Sequence, residues 1–590
     1  MKKMMLGNEA FAYGAYLAGA RVGAAYPGTP STEIMEAYAT YPGVHAEWAP
    51  NEKVALDVGI GAAYAGTRAL VSLKQVGLNV AADALFYSSY TGLKAGLVLV
   101  VADDPSMHSS STEQDSRSYA KAAKVPMLEP ADSEEAKLFT GIALDLSEKF
   151  DTPVLVRSVT RISHSATPVE ISDVPPPPAP SEPPMYDRQP LKFVMVPANA
   201  RTRHPIVVER LEQVKEFAET FPHNRIEMGD ESLGIVTSGT SYQYAREIFP
   251  NASFLKLGMV WPLPEKMIRE FASRVKTLIV VEELVPVFEE YIRWLGLPVR
   301  GRDIFPEIGE FSPHLVKECA LAAGLIEEED KAKAEAAATT AATPQLPNRP
   351  PMLCAGCGHR ALFHVIRESG ALVLGDIGCY TLSFAPPLNA IHTTGCMGAG
   401  IGQAHGVAKG GVKDRIIAVL GDSTFMHSGI HPLINVLYNE SNVTTIISDN
   451  RVTAMTGSQQ HPGTGITLQG KHTTEVKPEE LVRGMGFKKI DILDPHDIDN
   501  LAKVLEDHLN SNQPSVIIAR RPCVILTKER HTPPIVDKEL CVDCGSCMEI
   551  GCTPLIQEDG YVRIDPILCN GCNLCIKICP AEAIIDQQKE

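Results

Sequence analysis

Eight of the fourteen cysteines fall in the last fifty residues, at gaps too tight for a disulfide scaffold and suited to metal ligation. In "CNGCNLCIKICP", Cys569, Cys572 and Cys575 are spaced two residues apart, with three residues to Cys579 and then Pro580. At this spacing three thiolates wrap one iron–sulfur cube while the fourth crosses to its neighbour. In "CVDCGSCMEIGCTP", Cys541, Cys544 and Cys547 repeat the pattern, but four residues lead to Cys552 and Thr553 precedes Pro554. The extra residue lengthens a turn without changing the ligand set. We therefore expect one 4Fe–4S cluster on Cys541, Cys544, Cys547 and Cys579, and a second on Cys569, Cys572, Cys575 and Cys552. Structural zinc is the alternative for such thiolate quartets, and the interleaved order with its trailing proline favours iron.

A second constellation lies upstream. "RIIAVLGDSTF" runs an apolar strand into Gly421, Asp422 and Ser423, and "VTTIISDNRV" runs another into Asp449 and Asn450. The intervening 26 residues suffice for one crossover helix. Such a βαβ unit brings the Asp422 carboxylate and the Asn450 amide oxygen together at the carboxyl ends of neighbouring strands, where open parallel sheets bind ligands. Two hard oxygens plus a backbone carbonyl suit Mg²⁺ shared with a phosphorylated ligand. The glycines of "GCMGAGIGQAHG" suggest a dinucleotide loop, but Gln403 and His405 leave no G-x-G-x-x-G in frame.

The elements that must position these groups are α/β. Residues 7–165 alternate small-residue helices with short apolar strands ("VGAAYP", "ALVSLK", "LVLVVA"), as a parallel sheet covered on both faces requires. The expected organisation is an α/β domain at 1–172, a Pro-rich linker at 173–191, a second α/β domain at 192–326, a linker at 327–351, a third α/β domain at 352–530, and a small α+β cluster domain at 531–590. The length agrees with about four domains. With 71 acidic against 54 basic side chains and a net charge of −17, a nucleic-acid partner is excluded. No segment is apolar over the ~18–20 residues a membrane span needs. Asn8 and Glu9 interrupt the apolar start that an export signal would require, so a cytoplasmic location is expected.

The cysteine tail resembles a bacterial two-cluster ferredoxin, and Gly421-Asp422-Ser423 with Asp449-Asn450 resembles the diphosphate-binding motif of thiamine diphosphate enzymes. "YPGTPST" (26–32), "NEKVA" (51–55), "KQVGLN" (74–79) and "CAGCGH" (354–359) are similar, in that order, to signatures of the 2-oxoacid:ferredoxin oxidoreductases. The fused tail and "HSSSTEQDSR" look most like the α subunit of members acting on arylpyruvates. The resemblance implies several doubly wound domains of the thiamine diphosphate fold, pyrimidine-binding at 1–172, transketolase C-terminal-like at 192–326 and diphosphate-binding at 352–530.

It further implies Mg²⁺ on Asp422, Asn450 and the carbonyl of Val452. Glu52 would be the catalytic carboxylate that activates the aminopyrimidine; its plainer reading is a favourable charge at a helix N-terminus. Thr29 would contact the substrate carboxylate, although a Thr between Gly and Pro is otherwise a turn former. Arg117 is a bidentate candidate for the same carboxylate. Cys354, Cys357, Cys379 and Cys523, with Cys396 as a substitute for the last, could hold a third cluster or be buried thiols.

The implied reaction is oxidative decarboxylation of an arylpyruvate with coenzyme A, electrons leaving to an external ferredoxin. A small β subunit of about 200 residues, the size of one domain, is implied in an α₂β₂ assembly. The same chemistry on pyruvate or a branched-chain 2-oxoacid is the nearest alternative, a non-catalytic electron-transfer subunit the more distant one.

Overall fold

The structure is a computed structural model that describes residues 1–172, 177, 188–327 and 350–587, in two compact units, Met1–Gln345 and Leu346–Glu590. The expected linkers at 173–191 and 327–351 lie largely outside the described residues.

The first unit is built on a seven-stranded sheet in the order Met259–Trp261, Met127–Leu128, Val154–Val159, Leu97–Asp103, Ala69–Lys74, Val22–Ala25, His45–Trp48. All neighbours are parallel except the outermost Met259–Trp261 strand. Every residue of Leu97–Asp103 is buried, which explains its unbroken apolar run: a central parallel strand has helices on both faces and no polar side. A four-stranded sheet follows, ordered Thr277–Val281, Asp230–Ser238, Ala252–Leu257, Arg225–Glu227, with only the last strand antiparallel.

The stretch expected as a separate domain at 192–326 shares a core with the first. Leu255, Val280 and Phe288 pack in one cluster with Val71, Leu97 and Leu99. Met259–Trp261, directly after the Ala252–Leu257 strand, pairs on the edge of the seven-stranded sheet.

The second unit has five parallel strands ordered Leu372–Leu374, Ile416–Gly421, Thr444–Asp449, Ser515–Arg520, Ile490–Leu493. Ile416–Gly421 and Thr444–Asp449 are neighbours, Gly421 opposite Ser448, and the chain between them passes through a π-helical turn (Phe425–Gly429) and the helix Ile430–Tyr438. The cysteine tail forms two short antiparallel pairs, Ile535–Val536 with Ile584–Ile585 and Leu555–Glu558 with Tyr561–Ile564. The Arg360 guanidinium, buried, donates to the carbonyls of Ile550, Gly551, Leu353 and Cys354, fastening the tail to the start of the five-stranded domain. Among the described residues no helix is long and apolar enough to cross a membrane.

Candidate active site

In the second unit the strand Ile416–Gly421 ends by delivering Asp422 into the interior, where it is 3% exposed. Its Oδ1 accepts from the Ser423 amide at 2.9 Å and its Oδ2 from the Arg451 amide at 2.8 Å. Arg451 adopts φ 64°, a left-handed conformation that costs a non-glycine residue roughly 1–3 kcal/mol. The loop after Thr444–Asp449 is thereby curled around the Asp422 carboxylate. Asn450 Oδ1 accepts from the Val452 amide at 3.2 Å, which leaves its second lone pair for another partner.

His461 completes the shell, with Nε2 3.2 Å from Asp422 Oδ2. Its Nδ1 accepts from the Gly463 amide at 3.2 Å, so the imidazole proton sits on Nε2 and points at the carboxylate. Burial works to raise the Asp422 pKa, but the hydrogen bonds from His461 and the Ser423 amide bring it below the ordinary carboxylate range. The Asp449 carboxyl lies beside Asp422. Burial and that neighbouring charge push it up to about 6, against the Arg520 guanidinium 2.6 Å away. Two acidic groups and an amide oxygen at adjoining strand ends form a donor set suited to a divalent cation.

Next to this site Asn450 lines a cavity together with His359 and four cysteines, Cys354, Cys357, Cys379 and Cys523. The sulfurs come from three chain segments: Cys354 and Cys357 flank one turn, Cys379 opens a second segment and Cys523 precedes the short helix Val524–Thr527. Burial pushes the Cys379 thiol up to about 12, and the sulfurs of Cys357, Cys523 and Cys354 beside it add to the rise. Such thiols lose their protons when a metal takes them, so the donor set fits a metal cluster. Cys396 is exposed and is not among the lining residues. In the tail, Cys541, Cys544, Cys547 and Cys579 line one cavity. Cys552, Cys569, Cys572 and Cys575 line another, so each run lends one cysteine to the other's group.

In the first unit four adjacent strands end at one edge. His45–Trp48 leads to Glu52, Val22–Ala25 to the loop carrying Thr29, Ala69–Lys74 to Gln75, and Leu97–Asp103 to Asp104. Glu52 opens the helix Glu52–Tyr64, capped by Asn51 accepting from the Val54 amide at 2.9 Å, and is 6% exposed. Gly77 makes room for it: a Cβ at that position would stand 2.6 Å from Glu52 Cγ and Oε1. Thr29 is half-buried, and its carbonyl accepts from Ser109 Oγ at 3.0 Å.

Comparison with known proteins bears on what these groups serve. Residues 13–227 match the family described as pyruvate flavodoxin/ferredoxin oxidoreductase, thiamine diphosphate-binding. Residues 376–519 match the thiamine pyrophosphate enzyme C-terminal TPP binding domain, and 562–585 the 4Fe-4S binding domain. The indolepyruvate oxidoreductase subunit IorA of Archaeoglobus fulgidus is 41% identical over 99% of this chain and 97% of its own. That of Thermococcus kodakarensis is 38% identical over 98% of this chain and 96% of its own. The chain belongs to the IorA family of indolepyruvate oxidoreductase subunits. It is a thiamine diphosphate-dependent 2-oxoacid:ferredoxin oxidoreductase with a ferredoxin-type 4Fe–4S domain. A more distant relative, 2-oxoglutarate synthase subunit KorA of Methanothermobacter thermautotrophicus, is 26% identical over 51% of this chain and 93% of its own.

Within this IorA-family chain one expectation needs correction. Arg117 is 2% exposed and its guanidinium is fully engaged inside the protein. It donates to Asp115, to Glu282 at 2.9 Å, and to the carbonyls of Glu283 and Val285 at 2.8 and 2.9 Å. No donor edge remains for a substrate carboxylate. Sequence reasoning passed over His461, and it met Asp449 and Lys74 only as members of motifs, without a role of their own. The run "QHPGTG" carries a turn signal around His461, but nothing local places it 39 residues back against Asp422.

Proposed function

We propose that this chain is the catalytic α subunit of an enzyme that oxidatively decarboxylates arylpyruvates, indolepyruvate among them, with coenzyme A. The overall change is R–CO–COO⁻ + CoA–SH → R–CO–S–CoA + CO₂ + H⁺ + 2 e⁻, the electrons leaving singly through the clusters to an external ferredoxin. Thiamine diphosphate, when bound, supplies the carbon nucleophile and the electron sink that make loss of CO₂ possible.

The observation carrying the reading is that Asn450, beside Asp422, lines the same cavity as Cys354, Cys357, Cys379 and Cys523. On this reading a diphosphate-anchoring cation on Asn450 and a four-thiolate cluster would adjoin one cavity, an arrangement a non-oxidative decarboxylase has no use for. Asp422, Asn450 Oδ1 and the Val452 carbonyl would hold Mg²⁺ with the diphosphate, flanked by Gly421 and Ser423. Glu52 would exchange a proton with the aminopyrimidine, and Thr29 would contact the substrate. The tail cysteines would hold two clusters, and the cavity cysteines a third.

The aryl substrate is supported by the name of the relatives, indolepyruvate oxidoreductase, at 41% and 38% identity. A β subunit of about one domain's size, an α₂β₂ assembly and a cytoplasmic location belong to the same reading. Anaerobic assay of the purified complex with coenzyme A and a low-potential dye tests it, using indolepyruvate, phenylpyruvate and pyruvate in parallel. Preferred turnover of the aryl substrates is expected, abolished by Glu52→Gln with cluster absorption intact. Strong turnover of pyruvate alone refutes the aryl assignment.

A further inference from the structure

The geometry points to Lys74 as the cation that receives the carboxylate of the 2-oxoacid substrate, an inference that rests on the reaction proposed above. Lys74 is the last residue of the strand Ala69–Lys74, at the sheet edge where neighbouring strands deliver Thr29, Glu52 and Asp104. Its side chain runs against the Gly28–Thr29 loop: a Cβ on Gly28 would lie 3.1 Å from Lys74 Cβ. Its Nζ donates to the Ser109 carbonyl at 2.6 Å, and Ser109 Oγ in turn donates to the Thr29 carbonyl. One serine thus ties the ammonium to the loop expected to touch the substrate.

The charges around it are already matched. Asp104, the nearest acid, accepts from the Ser109 amide, Ser110 Oγ and Thr160 Oγ1. Arg117 and Arg157 are locked in buried ion pairs with Asp115, Glu282, Asp103 and Glu129. Among the described residues Lys74 has no carboxylate within ion-pair distance, and its ammonium keeps a donor beyond those given to the Ser109 carbonyl and, at 3.5 Å, its hydroxyl. Burial lowers its pKa to about 8, the cost of holding a charge partly out of water, and an incoming anion offsets that cost. A substrate carboxylate is such an anion, and the lysine stem would leave the aryl end to the rest of the pocket.

The carboxylate departs as CO₂, so a cation on it favours the bound ground state more than the transition state for its loss. Lys74→Met should therefore raise KM for the arylpyruvate roughly 10- to 100-fold, the range of a lost charge-assisted hydrogen bond, with kcat changed much less. Lys74→Arg, which keeps the charge, should recover part of the loss. As a binding readout, the holoenzyme complex is inhibited with indolelactate and with its primary amide. Lys74→Met should weaken the carboxylate and leave the amide unchanged. The inference fails if wild-type enzyme turns over arylpyruvates while Lys74→Met keeps the wild-type KM, or if both inhibitors weaken equally. Absence of arylpyruvate turnover in the wild type defeats the underlying reaction instead, and with it the inference.

Discussion

Gly77→Ala should destabilise the protein and disable Glu52, although an alanine is the better helix former. Gly77 lies in the first turn of the helix Gln75–Thr91, where Gly→Ala ordinarily gains up to ~1 kcal/mol. Here the new Cβ would stand 2.6 Å from Glu52 Cγ and Oε1 and 2.9 Å from Cδ, about 1 Å inside ordinary carbon contact. Because Cγ itself is struck, turning the carboxylate about its last bond gives no relief, and the whole side chain must swing. Overpacking of this kind costs about 1–3 kcal/mol. A displacement near 1 Å at a proton-transferring group costs on the order of 10²-fold in turnover. The decisive assay is a double-mutant cycle with Glu52→Ala, read by denaturant midpoint and by 2-oxoacid turnover. With Glu52 present, alanine at 77 lowers stability; with the side chain cut back to Ala, it raises it. The two effects should differ by about 1–3 kcal/mol. Equal stability changes in both backgrounds, or full turnover by Gly77→Ala alone, would refute the reasoning.

Replacing Cys523 by Ser should remove about four iron atoms per chain and leave about eight, since each cube holds four; unchanged iron content would rule out a cluster on the cavity cysteines. Glu283 gives a pH signature. Burial, opposed by a 2.6 Å hydrogen bond from the Phe311 amide, pushes its pKa up from 4.5 to about 7. The folded state then binds the extra proton between those values, so this residue's contribution to stability is complete below pH ~4.5 and is lost as pH rises towards 7. At full effect this amounts to about 3 kcal/mol, and Glu283→Gln should flatten the pH dependence of the unfolding midpoint across that window. A slope identical to wild type would show that Glu283 is ionised in the fold.

Some of this architecture was legible because the governing distances are local. Two-residue gaps set how four thiolates close, and an interleaved order sets which cysteine crosses. The juxtaposition of Asp422 and Asn450 was legible for a related reason: two short strands rich in β-branched residues and joined by one crossover favour parallel pairing, and their ends then meet. The three-residue strand Met259–Trp261 was not, since so short a run carries no periodicity and its pairing with Met127–Leu128 is decided by the sheet it reaches.

The fate of single charges is harder still, and Arg117 and Lys74 show why. Lys74 ends a strand and Arg117 opens the helix Arg117–Ala123, and both are cations inside short motifs that say nothing of their partners. Arg117 is captured by Glu282, 165 residues away, because the strand Thr277–Val281 ends where that carboxylate can also accept from the Phe288 and Glu289 amides. Among the described residues no acid comes within ion-pair distance of Lys74. Asp115, two residues away, takes the Nε side of the Arg117 guanidinium, and the stretch after Thr277–Val281 adds Glu282 and the carbonyls of Glu283 and Val285, so that near and distant partners together commit this cation to the fold.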